Sequence, residues 1–331
     1  MRLENFLALT HTTLINEPCV NGFENIVFDA QKVKRGDIFF AFDENSIDTA
    51  VTNGAYGIVF DRPTQLSDSE IAWIKSDNLD DTLKKLLRFK MIEKEVVIYE
   101  CNEIILKLAL QVITQTNFLV VTGDMQSIYK SMNSLEQRTT ILFCPALNDK
   151  DIFANAKPLP TKTIQSIEIM EQTLFETSFI YNNIFYERQL ISPFFIPYLE
   201  ELLYLYKSLN INFRLKKFVP IEHFEPVFTN KKFEIKNFGT SDKVLIFEPN
   251  TNLIKSEIIF LQSRASWANI IFVIPHEYVY ENNTNVFRYE DKKDIIMILK
   301  ENTFNFALIV GVDKAILEKP IINQAQLTLD F

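Results

Sequence analysis

The segment from Phe118 to Cys144 constrains the fold more than any other part of the chain. Phe118–Val121 is predicted to be a buried strand, about Ser127–Leu135 a helix, and Thr139–Cys144 the next strand. A strand, a crossover helix and a second strand form the unit of a parallel sheet. The same alternation recurs before and after this segment, so the chain is predicted to be an α/β protein.

The length of the chain favours several domains rather than one. Its 331 residues exceed the roughly 250–300 residues at which a single hydrophobic core stops growing. We expect three consecutive α/β domains, with boundaries at 1–92, 93–220 and 221–331. The last one reads as Rossmann-like, because strands at Val244–Phe247, Asn269–Ile274 and Ala307–Val310 alternate with helices.

Several further elements are predicted from local patterns. The two asparagines Asn182 and Asn183 predict a hairpin turn between strands Thr177–Tyr181 and Ile184–Leu190. Pro193–Ser208 is predicted to be a helix with a wide apolar face. A helix is also expected over Asn102–Thr114.

The turn after the strand Phe118–Val121 lies where a nucleotide-binding protein would hold phosphate. A phosphate loop requires glycine, a lysine against the outer phosphates and a Ser or Thr hydroxyl for magnesium. Here Gly123 is followed by a carboxylate, and an alkyl group stands where the hydroxyl is needed; the residues of this degenerate loop are Gly123, Asp124, Gln126, Ser127 and Ile128. The composition of this turn argues against ATP hydrolysis.

Net charge and cysteine content exclude other classes of protein. The net charge of -9 argues against direct nucleic-acid binding, which depends on clustered Lys and Arg. Three scattered cysteines show neither metal-ligand spacing nor a disulfide framework, so we expect a cytoplasmic protein without a metal or other cofactor. No apolar stretch is long enough to predict a membrane span. His223 and Glu225 are interpreted as polar residues at a domain boundary rather than as a metal pair.

The order of the three blocks, and several of their strings, resemble the Mur ligase family. These enzymes join amino acids to a UDP-muramoyl peptide with ATP during peptidoglycan synthesis. The resemblance is closest to the members that add later residues of the stem peptide. It rests on VFDAQKVKRGDIFFAF (27–42), AVTNGAYGIVFD (50–61), VVTGDMQSI (120–128), LISPFFIPYLEELLYLYKSLNI (190–211), HFEPVF (223–228) and VLIFEPNTNLIKSE (244–257).

The departures from the family pattern concern all three ligand sites. The Asp-Ser-Arg of the family's uridine site appears as Asp29, Ala30 and Gln31, so only Asp29 and Gln31 are left as a remnant. The lysine and threonine of the phosphate loop appear as Ser127 and Ile128. The central block is also shorter than in the family, and no string resembles its magnesium ligands.

The resemblance with these departures implies a noncatalytic Mur ligase relative, acting as a scaffold, regulator or precursor-binding protein in cell-wall synthesis. Its partners would be other cell-wall synthesis proteins or a UDP-muramoyl precursor. The alternative is a divergent ATP-dependent ligase that adds amino acids to such a precursor. Phosphoryl transfer depends on positioned charge, so three degraded sites favour the noncatalytic hypothesis.

Two further segments are candidate binding sites. Glu248, Asn250 and Asn252 follow a predicted strand, where open α/β sheets bind ligands, although helix capping by Asn252 explains them as well. The C-terminal QLTLDF resembles the peptide with which bacterial proteins dock on the DNA sliding clamp, through Gln326, Leu327, Leu329 and Phe331. Clamp docking is therefore a second alternative, and a terminal strand that buries these side chains is the simpler interpretation.

Overall fold

The structure is a computed structural model that describes residues 1–115, 117–148, 150–163, 165–241, 243–278 and 285–317. Its α-helices are α1 Leu3–Thr10, α2 Ile47–Thr52, α3 Leu79–Glu93, α4 Glu103–Ala109, α5 Met125–Ser131, α6 Ile196–Ser208, α7 Ile254–Arg264 and α8 Lys292–Glu301. Its strands are β1 Thr13–Leu14, β2 Ile26–Val27, β3 Ile38–Phe40, β4 Gly57–Phe60, β5 Ala72–Lys75, β6 Val97–Glu100, β7 Val112–Thr114, β8 Phe118–Val120, β9 Thr140–Phe143, β10 Lys157–Pro158, β11 Ile167–Gln172, β12 Thr177–Tyr181, β13 Ile184–Gln189, β14 Phe213–Leu215, β15 Glu225–Thr229, β16 Lys243–Glu248, β17 Ile270–Pro275, β18 Val286–Tyr289 and β19 Phe306–Val310.

The chain divides into two compact units. The first comprises Met1–Leu106 and Thr114–Leu159, and the second comprises Lys107–Ile113 and Pro160–Phe331. The three domain ranges expected from the sequence, 1–92, 93–220 and 221–331, stay predictions.

The first unit begins with a five-stranded sheet in the order β1-β5-β4-β3-β2, which is parallel except for β1. All three residues of β3 are buried, as expected for a strand covered on both faces. Ile38 and Phe40 pack in a cluster with Phe6 of α1, whereas Phe39 packs with Trp73 in the cluster on the opposite side. The period of two along β3 therefore divides the core into two layers.

A second sheet in the first unit has the order β10-β6-β9-β8 and is parallel throughout. The predicted strand, helix and strand are confirmed as β8, α5 and β9. Val121, Ile128 and Ile141 belong to one buried cluster, which fixes α5 against this sheet. The sheet thus holds the turn that the sequence singled out.

The second unit contains a three-stranded antiparallel sheet, β11-β12-β13, and a ribbon of β14 with β7. The predicted hairpin is confirmed, and its two turn residues Asn182 and Asn183 have φ angles of 49° and 61°. Positive φ at both central residues is typical of the type I′ turn. The predicted helix is also confirmed, with a short 3₁₀ turn at Pro193–Phe195 before α6.

The largest sheet of the second unit has the order β15-β16-β19-β17-β18. Its strands are parallel except for β15, which runs antiparallel at one edge. The expected second parallel sheet is therefore confirmed. The predicted helix Asn102–Thr114 is wrong at its end, because α4 stops at Ala109 and the β-branched run from Val112 forms β7.

Candidate functional site

The turn between β8 and α5 is built around one glycine and one aspartate. Gly123 has a φ of 92°, a conformation that side chains with a Cβ rarely adopt. Asp124 is the N-cap of α5, and its side chain accepts a hydrogen bond from the Ser127 N–H at 2.8 Å. Asn148 donates a hydrogen bond to the Gly123 carbonyl at 3.3 Å. Hydrogen bonds made by the side chains of Asp124 and Asn148 thus hold the loop in this conformation.

The Asp124 carboxylate occupies the place of an anion at this turn. Its hydrogen bonds with Ser127 lower the pKa of the carboxyl group, and the charge of Lys130 adds a smaller effect in the same direction. A charged carboxylate that accepts the amide hydrogen at a helix start competes with any phosphate for the same donor. The turn therefore carries a negative charge where a phosphate loop offers hydrogen-bond donors to an anion.

The remaining residues of the turn do not supply the missing groups. Ile128 is buried in the core of the first unit with 2% of its surface exposed. The Lys130 ammonium group lies 5.4 Å from the centre of the Phe28 ring, in a cation–π contact. The hydroxyl of a phosphate loop is thus replaced by a core side chain, and the nearest lysine of α5 is placed over an aromatic ring.

A cleft of about 400 Å³ surrounds the turn and contains a lysine that the sequence did not indicate. Lys84 of α3 lines the cleft, and its ammonium group lies 3.4 Å from the Asp81 carboxylate. Asp80 and Asp124 line the same cleft. Among the described lining residues, two carboxylates thus face one ammonium group, and the net charge is unfavourable for a polyphosphate.

The remnant of the uridine site makes local contacts. Asp29 precedes the 3₁₀ turn Ala30–Lys32 and accepts a hydrogen bond from the Gln31 N–H at 3.1 Å. The Asp29 carboxylate also lies 3.4 Å from the Lys32 ammonium group. Gln31 is exposed. Helix capping accounts for the hydrogen bond that Asp29 accepts.

The three residues of the candidate crevice at the end of β16 differ in exposure. Glu248 is fully buried, and its carboxylate lies 2.7 Å from Nδ1 of His223. Glu248 also accepts hydrogen bonds from the backbone N–H groups of Phe224, at 3.0 Å, and Asn250, at 2.7 Å. Asn250 caps a short 3₁₀ turn, and Asn252 is exposed. The capping role expected for Asn252 thus belongs to Asn250.

A second buried carboxyl group, Glu257 of α7, accompanies Glu248. Burial raises the pKa of Glu257 well above its usual range, and the charge of Glu248 raises it further. The sequence carried a signal for this position, because Ile254, Glu257, Ile258 and Leu261 follow the spacing of a buried helix face. An acidic residue among the apolar residues of a helix face indicates a buried titratable group.

The other kinds of site concern metal ions, membranes and the sliding clamp. Within those ranges, no three His, Cys, Asp or Glu side chains are grouped so that they could hold a metal ion. None of the described helices has the length and apolar character needed to cross a membrane. The clamp-docking residues Gln326, Leu327, Leu329 and Phe331 lie outside the described residues.

Comparison with known proteins adds evidence on the fold. No protein-family model matches the chain, and no curated protein matches it by sequence. MurF from Acinetobacter baumannii matches with a TM-score of 0.53 and 8% identity, covering 93% of this chain and 95% of that chain. MurF ligase from Thermotoga maritima in complex with ADP matches with a TM-score of 0.48 and 12% identity, covering 88% of this chain and 95% of that one. Identities this low bear on the fold alone. The chain is an α/β protein with a Mur-ligase-like fold.

Proposed function

We propose that this protein is a noncatalytic relative of the Mur ligases, acting as a scaffold, regulator or precursor-binding protein in peptidoglycan synthesis. The observation that carries the proposal is the Asp124 carboxylate at the start of α5, hydrogen-bonded to the Ser127 N–H where a phosphate would be held. The buried Ile128 supports it, because a core alkyl group cannot bind magnesium. The partners proposed are other cell-wall synthesis proteins or a UDP-muramoyl precursor.

The absence of a catalytic nucleotide site can be tested by calorimetry. We expect no heat of binding when the full chain is titrated with MgATP, since the cleft holds more carboxylates than ammonium groups among its described residues. A parallel titration with a UDP-muramoyl peptide separates the proposed roles. Binding of the peptide without MgATP supports a precursor-binding protein, whereas binding of neither supports a scaffold. Micromolar binding of both ligands would contradict the noncatalytic proposal.

The second candidate is a divergent ATP-dependent ligase, and Lys84 is the observation that favours it. Lys84 belongs to α3, not to the loop, and it lines the same cleft as Gly123 and Asp124. It could therefore supply the ammonium group that the loop lacks. If MgATP does bind, Lys84→Met is expected to weaken it strongly, because no other ammonium group lines the described part of this cleft. Lys94→Met is the matched control, since Lys94 follows the same helix but does not line the cleft. Equal binding by the two variants would exclude Lys84 as the phosphate ligand.

Docking on the DNA sliding clamp remains a separate alternative. It depends on Gln326, Leu327, Leu329 and Phe331, which lie outside the described residues. Pulldown by an immobilised clamp, lost when Leu329 and Phe331 are replaced by Ala, would favour it.

A further inference from the structure

A second cleft, of about 570 Å³, lies in the second unit at the start of β16 and β19. Part of its wall is formed by Val244 of β16, by Phe306 at the start of β19 and by Asn305, which precedes that strand. Glu248 lies at the other end of β16, so this cleft is separate from the candidate crevice. Its volume falls within the range of roughly 300–1,000 Å³ that is usual for small-molecule sites.

The wall of this cleft is aromatic. Five rings line it, those of Phe175, Phe228, Phe238, Trp267 and Phe306. The ring centres are 4.8 Å apart for Phe228 and Phe238, and 6.0 Å apart for Trp267 and Phe306. Trp267 nevertheless exposes 76% of its surface and Phe238 exposes 41%. Rings that pack on one another and still present open faces form a surface on which a further ring can stack.

One cation at the cleft lacks a counter-charge. Arg264, the last residue of α7, lines the cleft, and its guanidinium group forms no ion pair or hydrogen bond with any residue that the structure describes. The carboxylate of Glu176, another lining residue, lies 3.4 Å from the Arg188 guanidinium group, which offsets its charge. The described walls of the cleft therefore combine aromatic faces with one available guanidinium group.

We infer that this cleft binds a small aromatic anion. The ring stacks against Trp267 and Phe238, and a carboxylate or sulfonate group accepts hydrogen bonds from Arg264. A guanidinium group suits this role because its planar donors match the two oxygens of such a group. The inference does not depend on the turn at Gly123, which belongs to the first unit.

The test uses two fluorescent probes of similar shape on the full chain. Anilinonaphthalene sulfonate is an aromatic anion, and phenylnaphthylamine is its uncharged counterpart. We expect saturable binding of the anion at one site per chain, with protection of the exposed Trp267 from acrylamide quenching. Trp73, the other tryptophan, is fully buried in the first unit and serves as an internal reference.

Variants then separate the charge from the rings. Arg264→Gln is expected to weaken the anion about tenfold, the loss of one charge-assisted interaction, and to leave phenylnaphthylamine binding unchanged. Arg214→Gln is the matched control, because Arg214 is also exposed in the second unit but does not line the cleft. Phe238→Ala is expected to weaken both probes. Thermal denaturation of each variant verifies that it is folded.

Three results would overturn the inference. One is non-saturable binding, which would mean that the probes respond to general apolar surface. Another is equal weakening of the anion by Arg264→Gln and Arg214→Gln. The third is self-association in sedimentation equilibrium that displaces the probe as protein concentration rises, since a second copy of the chain would then occupy the cleft.

Discussion

Glu257 is a buried carboxyl group whose protonation is linked to stability. Its pKa is raised by burial and by the neighbouring Glu248 charge, so the folded chain retains a proton that the unfolded chain releases. His223 is also buried, and its Nδ1 lies 2.7 Å from the Glu248 carboxylate. For a raised pKa, the stabilising contribution is complete below the unfolded-state pKa and is lost as the pH rises through the folded-state pKa.

Replacement of Glu257 by Gln should stabilise the protein at neutral and alkaline pH. The amide stays neutral at every pH and is able to donate a hydrogen bond to the Glu248 carboxylate. At about pH 8 we expect the free energy of unfolding to rise by about 1 kcal/mol, and the gain should vanish at about pH 4. Urea denaturation at the two pH values measures it. Glu301→Gln, at the exposed end of α8, should show no such pH-dependent gain.

Asp124 shows the opposite titration behaviour at the surface. Its pKa is lowered by Ser127, so its contribution is present above the unfolded-state pKa and is lost as the pH falls. Asp124→Ala removes the cap of α5 and should cost about 1 kcal/mol or less, because the side chain is exposed to solvent. Asp124→Asn should keep most of the capping energy and lose the acid dependence. Thermal denaturation near neutral and acidic pH distinguishes the two variants, and equal losses would show that charge rather than capping matters.

At the scale of single elements, the hairpin between β12 and β13 has a turn whose residues match its backbone conformation. Asn182 and Asn183 both adopt positive φ, which costs other side chains about 1–2 kcal/mol. Asn183→Ala should therefore destabilise the protein by about 1 kcal/mol, whereas Asn183→Gly should be neutral or slightly stabilising. Denaturant unfolding provides the measurement. Asn252→Ala, at an exposed asparagine outside the positive-φ set, should have little effect.

The elements that could be predicted from the sequence are those with strong local patterns. The hairpin, α6 and the parallel strands of the largest sheet belong to this group. Strand β15 contains Pro226, and a proline makes a strand harder to recognise in the sequence. In the structure β15 pairs antiparallel with β16 at the edge of the largest sheet, where a proline is tolerated. The sequence did not predict β5 and α1. Their burial depends on contacts with distant segments, as when Phe6 of α1 packs on Phe40 of β3.

The candidate site could be predicted only in part for the same reason. The capping role of Asp124 follows from its position before a helix, so the loop could be interpreted locally. The position of Lys84 could not, because it lies on α3 beside Asp81 and has the pattern of a solvent-exposed pair. Only the packing of α3 against α5 brings Lys84 to the cleft. Charges supplied by a distant helix require tertiary structure.

At the scale of the whole molecule, the net charge bears on whether the chain binds polyanions. The chain carries 34 Lys and Arg against 43 Asp and Glu. A polyanion that approaches this surface meets net repulsion at distances up to a Debye length, roughly 8 Å at physiological salt. Short runs of Lys and Arg can offset this repulsion only where their side chains are not already paired with carboxylates. In the first unit, Lys32 of the run from Lys32 to Arg35 lies 3.4 Å from Asp29.

We therefore predict that the chain does not bind duplex DNA directly. In fluorescence anisotropy at about 150 mM salt, a labelled duplex should show no saturable change, because non-specific affinity depends on the number of neutralised phosphates. The strongest remaining basic run contains Arg214, Lys216 and Lys217, all exposed. If anisotropy did rise, replacement of these three residues by Gln would identify the surface responsible. Binding that is abolished by this triple variant would show that a local patch overcomes the net charge, contrary to the prediction.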